Sequence, residues 1–95
     1  MAIVVEMLVP RASRDVADQF DAGVEQAMMR RGGPPAGLLV HYARPEGDGF
    51  VLCNVWRSEA EMRSFFEDVI LPGLAQRGLE PSQPIVSPVW VFARP

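Results

Sequence analysis

The distribution of apolar and polar residues in the first third of the chain predicts a strand followed by a helix. Residues 2–9 are apolar apart from Glu6 and rich in β-branched valine and isoleucine, and Pro10 ends this strand. Ser13 then stands as an N-cap before apolar residues at helical spacing, and residues 32–35 end the helix. The apolar face comprises Val16, Phe20, Val24, Ala27 and Met28, and the polar face carries Asp18, Asp21 and Glu25.

The remaining two thirds predict three strands and a second helix. Residues 37–43 and 49–57 have strand character, and the Pro- and Gly-containing segment 44–49 joins them as a hairpin. Ser58 and Glu61 form a capping box ahead of a second helical apolar stripe. Pro72 interrupts this helix and predicts a new short turn over residues 71–76, closed by Gly78. Residues 85–92 are predicted to form the last strand, in which Pro88 favours a sheet edge or a bulge.

The resulting β-α-β-β-α-β order predicts one α+β domain over residues 1–95, a ferredoxin-like sandwich. In this fold a four-stranded antiparallel sheet carries both helices on one face. The opposite face is also apolar, since Val4 and Leu8 alternate with Val5 and Met7. We therefore expect a homodimer in which the open sheet faces of two chains pack together. The alternative is a distorted monomer whose long side chains lie over its own sheet.

Composition excludes several classes of function. The net charge is −3 and the nine basic residues are scattered arginines, which argues against nucleic-acid binding. The N-terminal residues have no cationic segment and no apolar stretch reaches the about 18 residues of a membrane span, so we expect a cytoplasmic protein without a membrane partner. One cysteine and one histidine argue against a disulfide within the chain and against a metal site, and no motif indicates a cofactor.

The order of motifs from Gly37 onward resembles the dimeric α+β barrel superfamily, in particular small antibiotic biosynthesis monooxygenase-like proteins. The sharpest motif is Val55-Trp56-Arg57-Ser58 opening the second helix, with Phe65 and Phe66 further along that helix. The resemblance implies the dimeric barrel and a pocket between sheet and helices lined by Trp56. Similar proteins include cofactor-free oxygenases acting on polyketides, haem-degrading oxygenases and short members without known activity.

The chain departs from both catalytic patterns of this superfamily. The polyketide oxygenases carry an asparagine and a tyrosine where this chain has Leu52 and Met62. The haem-degrading enzymes carry a helix histidine at the position of Phe66 and a strand asparagine near Glu6. The resemblance therefore implies a fold and a pocket more than a reaction, and Phe66 disfavours haem degradation.

His41 is the leading candidate for chemistry, because histidine is the side chain that ordinarily titrates near neutral pH. Pairing of Gly49 with Arg44 or Glu46 puts His41 on the same face as Asn54 and Trp56. We expect His41 and Glu6 to be candidate bases in an apolar pocket. Its expected substrate-binding residues are Trp56, Asn54, Phe20, Phe65 and Phe66.

Each of these polar residues also has a structural interpretation. His41 could lie half exposed on an edge strand and bond a backbone carbonyl. Glu6 could form an ion pair with Arg57 or Arg94, and Asn54 could complete a local hydrogen-bond network.

Two functions follow from this sequence. The first is a cofactor-free oxygenase or isomerase acting on a hydrophobic, aromatic or polyketide-like small molecule. The alternative is a non-catalytic dimer that binds a ligand or serves as an interaction module. Because a fold does not determine a reaction, the site has to decide between them.

Overall fold

The computed structural model describes residues 1–90 and shows the predicted element order. The strands are Ile3–Val9 (β1), Leu38–Glu46 (β2), Gly49–Trp56 (β3) and Ile85–Pro88 (β4). The helices are Arg14–Arg30 (α1), Glu59–Phe65 (α2) and Leu71–Gln76 (α3). The last two positions predicted for the final strand, residues 91 and 92, lie outside the described residues.

The four strands form an antiparallel sheet in the order β2-β3-β1-β4, which confirms the predicted topology. β4 lies at one edge of the sheet, as Pro88 predicted, but it ends at Pro88, so residues 89 and 90 fall outside the strand predicted over residues 85–92. At the other edge β2 runs on to Glu46, so the turn is shorter than the predicted segment 44–49. The strand continues through Pro45 because an edge strand has one side without ladder hydrogen bonds, where a missing N–H is tolerated.

The hydrophobic core lies between the sheet and the helices. Val5, Met7 and Val9 project from one face of β1 and are at most 1% exposed. Phe20 and Val24 of α1 pack against this face, and α2, α3 and the turn between them complete the core. The apolar face predicted for the first helix therefore faces the sheet, and one layer of helices covers one side of one sheet.

The second helical region follows its predicted start and interruption. The Ser58 hydroxyl accepts a hydrogen bond from the Glu61 amide (3.4 Å), whereas the Glu61 carboxylate accepts from the Ser58 hydroxyl (2.9 Å) and from Arg57. A π-helical turn at Phe66–Ile70 precedes α3, a feature the sequence analysis did not predict. Pro72 lies in the first turn of α3, and the chain leaves it at Gly78 (φ 68°), as predicted.

The second sheet face, which we call the open face, is mainly apolar. It comprises Val4, Glu6, Leu8, Val40, Tyr42, Arg44, Val51, Cys53, Val55, Ile85 and Ser87, which alternate with the core-facing residues. Ile85 is 64% exposed and Tyr42 is 48% exposed, although Val51 and Cys53 between them are buried. The predicted apolar character of both sheet faces is confirmed. None of the helices within residues 1–90 has the length and apolar character that crossing a membrane requires.

Candidate functional site

A cleft of about 550 Å³ lies between the first half of α1 and the β2–β3 hairpin. Its buried apolar surface includes Phe20, Phe50 and Leu52. The Phe20 and Phe50 rings are tilted, with centroids 6.3 Å apart. Charged and polar side chains line the rest of the cleft, among them Arg14, Asp18, Asp21, His41 and Arg44. An apolar surface with a few polar groups at its margin suits a small, mostly hydrophobic molecule.

Contacts between the hairpin turn and the β1–α1 loop lie beside the cleft, whose lining includes Ala12 and Gly49. The amides of Arg11 and Ala12 donate to the Asp48 side chain and carbonyl, both at 3.0 Å. Arg11 adopts a left-handed conformation (φ 54°) to make this contact. Gly49 passes so close to β1 that a Cβ atom would overlap the carbonyl oxygen of Val9. We call this set of contacts the Asp48 clasp.

His41 lies at the margin of the cleft with both ring nitrogens close to oxygen atoms. Its Nδ1 is 2.7 Å from Oδ1 of Asn54, and its Nε2 is 3.3 Å from Oδ1 of Asp21. The strand register pairs His41 with Asn54, and Asn54 and Trp56 alternate onto the same side of β3. The predicted shared face of these three residues is confirmed. The histidine ring therefore connects the protein interior with the cleft.

The interior beside β3 contains two donor atoms that make no hydrogen bond among the described residues. They are Nδ2 of Asn54 and Nε1 of Trp56, whose side chains are 1% and 0% exposed. A buried donor without an acceptor costs about 1–3 kcal/mol of stability. In the Asn54 side chain, Oδ1 therefore has a hydrogen-bond partner in His41, whereas Nδ2 has none among the described residues.

The aromatic residues predicted to bind substrate divide into two groups. Phe20 lines the cleft. Trp56, Phe65 and Phe66 lie in the hydrophobic core, where the Trp56 and Phe65 ring centroids are 5.6 Å apart. The cleft therefore lies between α1 and the hairpin, next to Phe20. The resemblance had implied a pocket next to Trp56, and this expectation is wrong for the cleft, because Trp56 is buried in the core.

The structure does not bring Glu6 together with His41. Val5 pairs with Asn54 and Glu6 pairs with Cys53, so the pleat directs Glu6 to the open face. Of the two arginines considered as its partners, Arg57 pairs with Glu61, and Arg94 lies outside the described residues.

Asp21 supplies the carboxylate at His41, a contact that sequence analysis missed. Helical periodicity places Asp21 only on the polar face of the first helix. The one sequence signal is its position directly after Phe20, a core residue. The approach of α1 to β2, which brings Asp21 within reach, is a tertiary feature that periodicity does not encode.

Tyr42, which lines the cleft, and Glu61, in the first turn of α2, have displaced pKa values. A hydrogen bond to Cys53 raises the pKa of Tyr42 above its ordinary value. Hydrogen bonds from Arg57 and Ser58 lower the pKa of Glu61. Within residues 1–90, no group of three or more histidine, cysteine, aspartate or glutamate side chains is arranged to hold a metal ion.

Solved structures with the same fold cover almost the whole chain. SnoaB, a cofactor-independent oxygenase from Streptomyces nogalater, has a TM-score of 0.64 and 18% identity, covering 96% of this chain and 94% of SnoaB. A protein from Deinococcus radiodurans, described provisionally as an antibiotic biosynthesis monooxygenase, has a TM-score of 0.62 and 13% identity, covering 99% and 97%. A similarly described protein from Nitrosomonas europaea has a TM-score of 0.62 and 11% identity, covering 96% and 100%.

These likenesses show the fold. No protein-family model matches the sequence, and comparison with curated proteins gives no significant match. The predicted α+β ferredoxin-like class is confirmed, and the chain has the fold of antibiotic biosynthesis monooxygenase-like proteins.

Proposed function

We propose that the cleft binds a hydrophobic aromatic or polyketide-like small molecule and that His41 takes a proton from it, as in a cofactor-free oxygenase or isomerase. The observation that supports this most is the fixed position of the His41 ring, which joins a buried amide to the margin of an apolar cleft. The shared fold with SnoaB, a cofactor-independent oxygenase, agrees with this chemistry. Glu6 is left out of the proposal because it projects from the opposite sheet face.

The hydrogen bond to Asn54 determines which nitrogen of His41 can act. Because Oδ1 of Asn54 is an acceptor, Nδ1 of the ring is its donor and Nε2 carries the lone pair in the neutral ring. A phenolic or enolic hydroxyl seated on Phe20 and Phe50 can give its proton to Nε2. The aromatic system of the substrate then spreads the negative charge, and the imidazolium keeps its bond to Asn54.

The oxygenase reaction balances with dioxygen as the second reactant. For anthrone as a probe, base-assisted loss of a proton leaves a carbanion that gives electrons to dioxygen and forms a carbon-bonded peroxide. Breaking the O–O bond with loss of water leaves a carbonyl group, so anthrone and dioxygen give anthraquinone and water. In an isomerase the same proton returns to another carbon of the substrate and no oxygen is consumed.

Oxygen uptake with anthrone tests the proposal and identifies the base. His41→Ala should lower the rate about 10²-fold or more, as expected when a general base is removed. If His41 is the base, Glu6→Gln should take up oxygen at the wild-type rate. A loss of oxygen uptake in Glu6→Gln would instead identify Glu6 as the base. Anthrone turnover that survives in His41→Ala would refute the role of His41.

Non-catalytic ligand binding is the second candidate, and the position of Trp56 favours it. Trp56 is 0% exposed and packs against Phe65 inside the core, whereas the resemblance had implied a pocket beside it. This candidate predicts that 1-naphthol binds in the cleft and that neither anthrone nor 1-naphthol is turned over. Fluorescence titration of 1-naphthol, followed by product analysis, separates the two functions.

We also propose that two chains pack their open faces together as a homodimer. The support is an apolar sheet face that includes Leu8, 36% exposed, and Ile85, 64% exposed. Light scattering should then give twice the chain mass of 10.5 kDa. Leu8→Glu should dissociate the dimer.

Leu71, 40% exposed on α3, provides a matched control for this test. Leu71→Glu should leave the dimer intact, because α3 belongs to the helical layer. A wild-type mass of 10.5 kDa would refute the dimer, and dissociation by Leu71→Glu alone would place the contact elsewhere.

A further inference from the structure

We infer that Asp21 is a positioning residue whose carboxylate is the counter-ion of the His41 imidazolium at the margin of the cleft. The inference deepens the proposed function and rests on it, since that function assigns the proton transfer to His41. Asp21 acts through the histidine ring.

The hydrogen-bond geometry of the ring carries this inference. Nδ1 of His41 faces Oδ1 of Asn54 at 2.7 Å, and Nε2 faces Oδ1 of Asp21 at 3.3 Å. Both neighbours are oxygen acceptors, and a neutral imidazole has only one N–H to donate. The doubly protonated ring donates to both. The surroundings of His41 are therefore complementary to the state that follows proton uptake.

The two partners of the ring differ in freedom of movement. Asn54 is 1% exposed in β3, so it fixes the ring orientation. The Asp21 side chain is 63% exposed on α1, so it can turn toward water without breaking the core. A substrate hydroxyl can then occupy Nε2 while Asp21 faces solvent. Once the proton has moved to the ring, the carboxylate stabilises the new positive charge.

The other charged groups around the cleft are already paired. On α1, Arg14 bonds Asp18 at 3.1 Å, and on β2, Arg44 bonds Glu46 at 3.0 Å. Tyr42 of β2 also lines the cleft, and its pKa is raised by Cys53, so it adds no negative charge near neutral pH. The adjacent strand β3 presents the neutral Asn54. Within residues 1–90, Asp21 is the carboxylate in contact with His41.

Nitrogen-15 NMR of the imidazole ring tests the inference directly, because His41 is the only histidine in the chain. The ring signals give the ratio of imidazolium to imidazole without substrate. At a fixed pH near neutrality, Asp21→Asn should lower this ratio about two- to five-fold, the range of an exposed ion pair. Glu25→Gln is the matched control, since it removes one negative charge from the same helix four residues further on, and it should leave the ratio unchanged.

The outcomes separate this inference from the proposed function. An unchanged ratio in Asp21→Asn, or an equal fall in Glu25→Gln, would overturn the assignment of Asp21 as counter-ion. A fall confined to Asp21→Asn supports it, even if wild-type protein does not turn over anthrone. In that last case the proposed oxygenase function fails and the counter-ion assignment stands.

Discussion

Replacing Asn54 with leucine should leave the protein about as stable as the wild type while removing the support of the His41 ring. The Asn54 side chain is 1% exposed, and leucine has a similar size. The substitution removes the buried Nδ2 donor, which has no partner among the described residues. It also removes the acceptor for Nδ1 of His41.

Opposing contributions determine the size of this effect. Removing an unpaired buried donor gains about 1–3 kcal/mol. Losing a hydrogen bond of ordinary strength costs about 0.5–1.5 kcal/mol, and about 1.5–3 kcal/mol when one partner is charged. Nδ1 of His41 can then bond water, because the histidine side chain is 22% exposed. The free energy of unfolding of Asn54→Leu should therefore lie within about 1 kcal/mol of the wild type.

Urea denaturation at neutral pH measures this change. The protein concentration is held fixed, because the proposed dimer would unfold in a concentration-dependent way. Leu52→Ala is the positive control, because Leu52 is 2% exposed on the same strand and its truncation should cost about 2–5 kcal/mol. The same Asn54→Leu sample should show His41 exchanging between both neutral tautomers by NMR. A loss above about 2 kcal/mol would refute the reasoning and show that Nδ2 has a partner.

Two further predictions concern the displaced pKa values. The hydrogen bond that the Tyr42 hydroxyl donates to Cys53 raises the pKa of Tyr42, so the stability it contributes is present at lower pH and is lost as the pH rises through the folded-state pKa. Cys53→Ala should lower that pKa, measured by tyrosinate absorbance from the single tyrosine. Arg57 lowers the pKa of Glu61, so that contribution is lost as the pH falls through the folded-state value. Glu61→Gln should make urea denaturation less sensitive to acid, and Glu67→Gln, an exposed control on the π-helical turn, should not.

The sequence predicted those parts of the fold that depend on local chemistry. Ser13 and Ser58 predicted where the two long helical segments begin, because their hydroxyls accept hydrogen bonds from free backbone amides in the first helical turn. Pro72 predicted the start of the short third helix. The π-helical turn before it was missed, since one extra residue per turn leaves no distinct pattern of apolar residues.

The site was predictable only where strand register determines it. The two-residue period of the hairpin correctly predicted that His41 lies on the same face as Asn54, and the observed register places the two residues opposite each other. The same period puts Glu6 on the face opposite Val5, but the sequence alone did not say which β1 residue pairs with Asn54. Asp21 was missed because its contact depends on how closely α1 packs on β2. The position of the cleft, next to Phe20 and away from Trp56, also depends on packing between layers.

The Asp48 clasp ties the shape of the cleft to a surface turn that contributes no candidate catalytic group. Hairpin tips usually tolerate insertions and exchange of sequence. Here the tip is fastened to the loop that leads into α1, the helix that carries Asp21. Lengthening this hairpin would move the part of the cleft lined by Ala12 and Gly49, so redesign of the turn offers a route to different ligand sizes with His41, the proposed base, left in place.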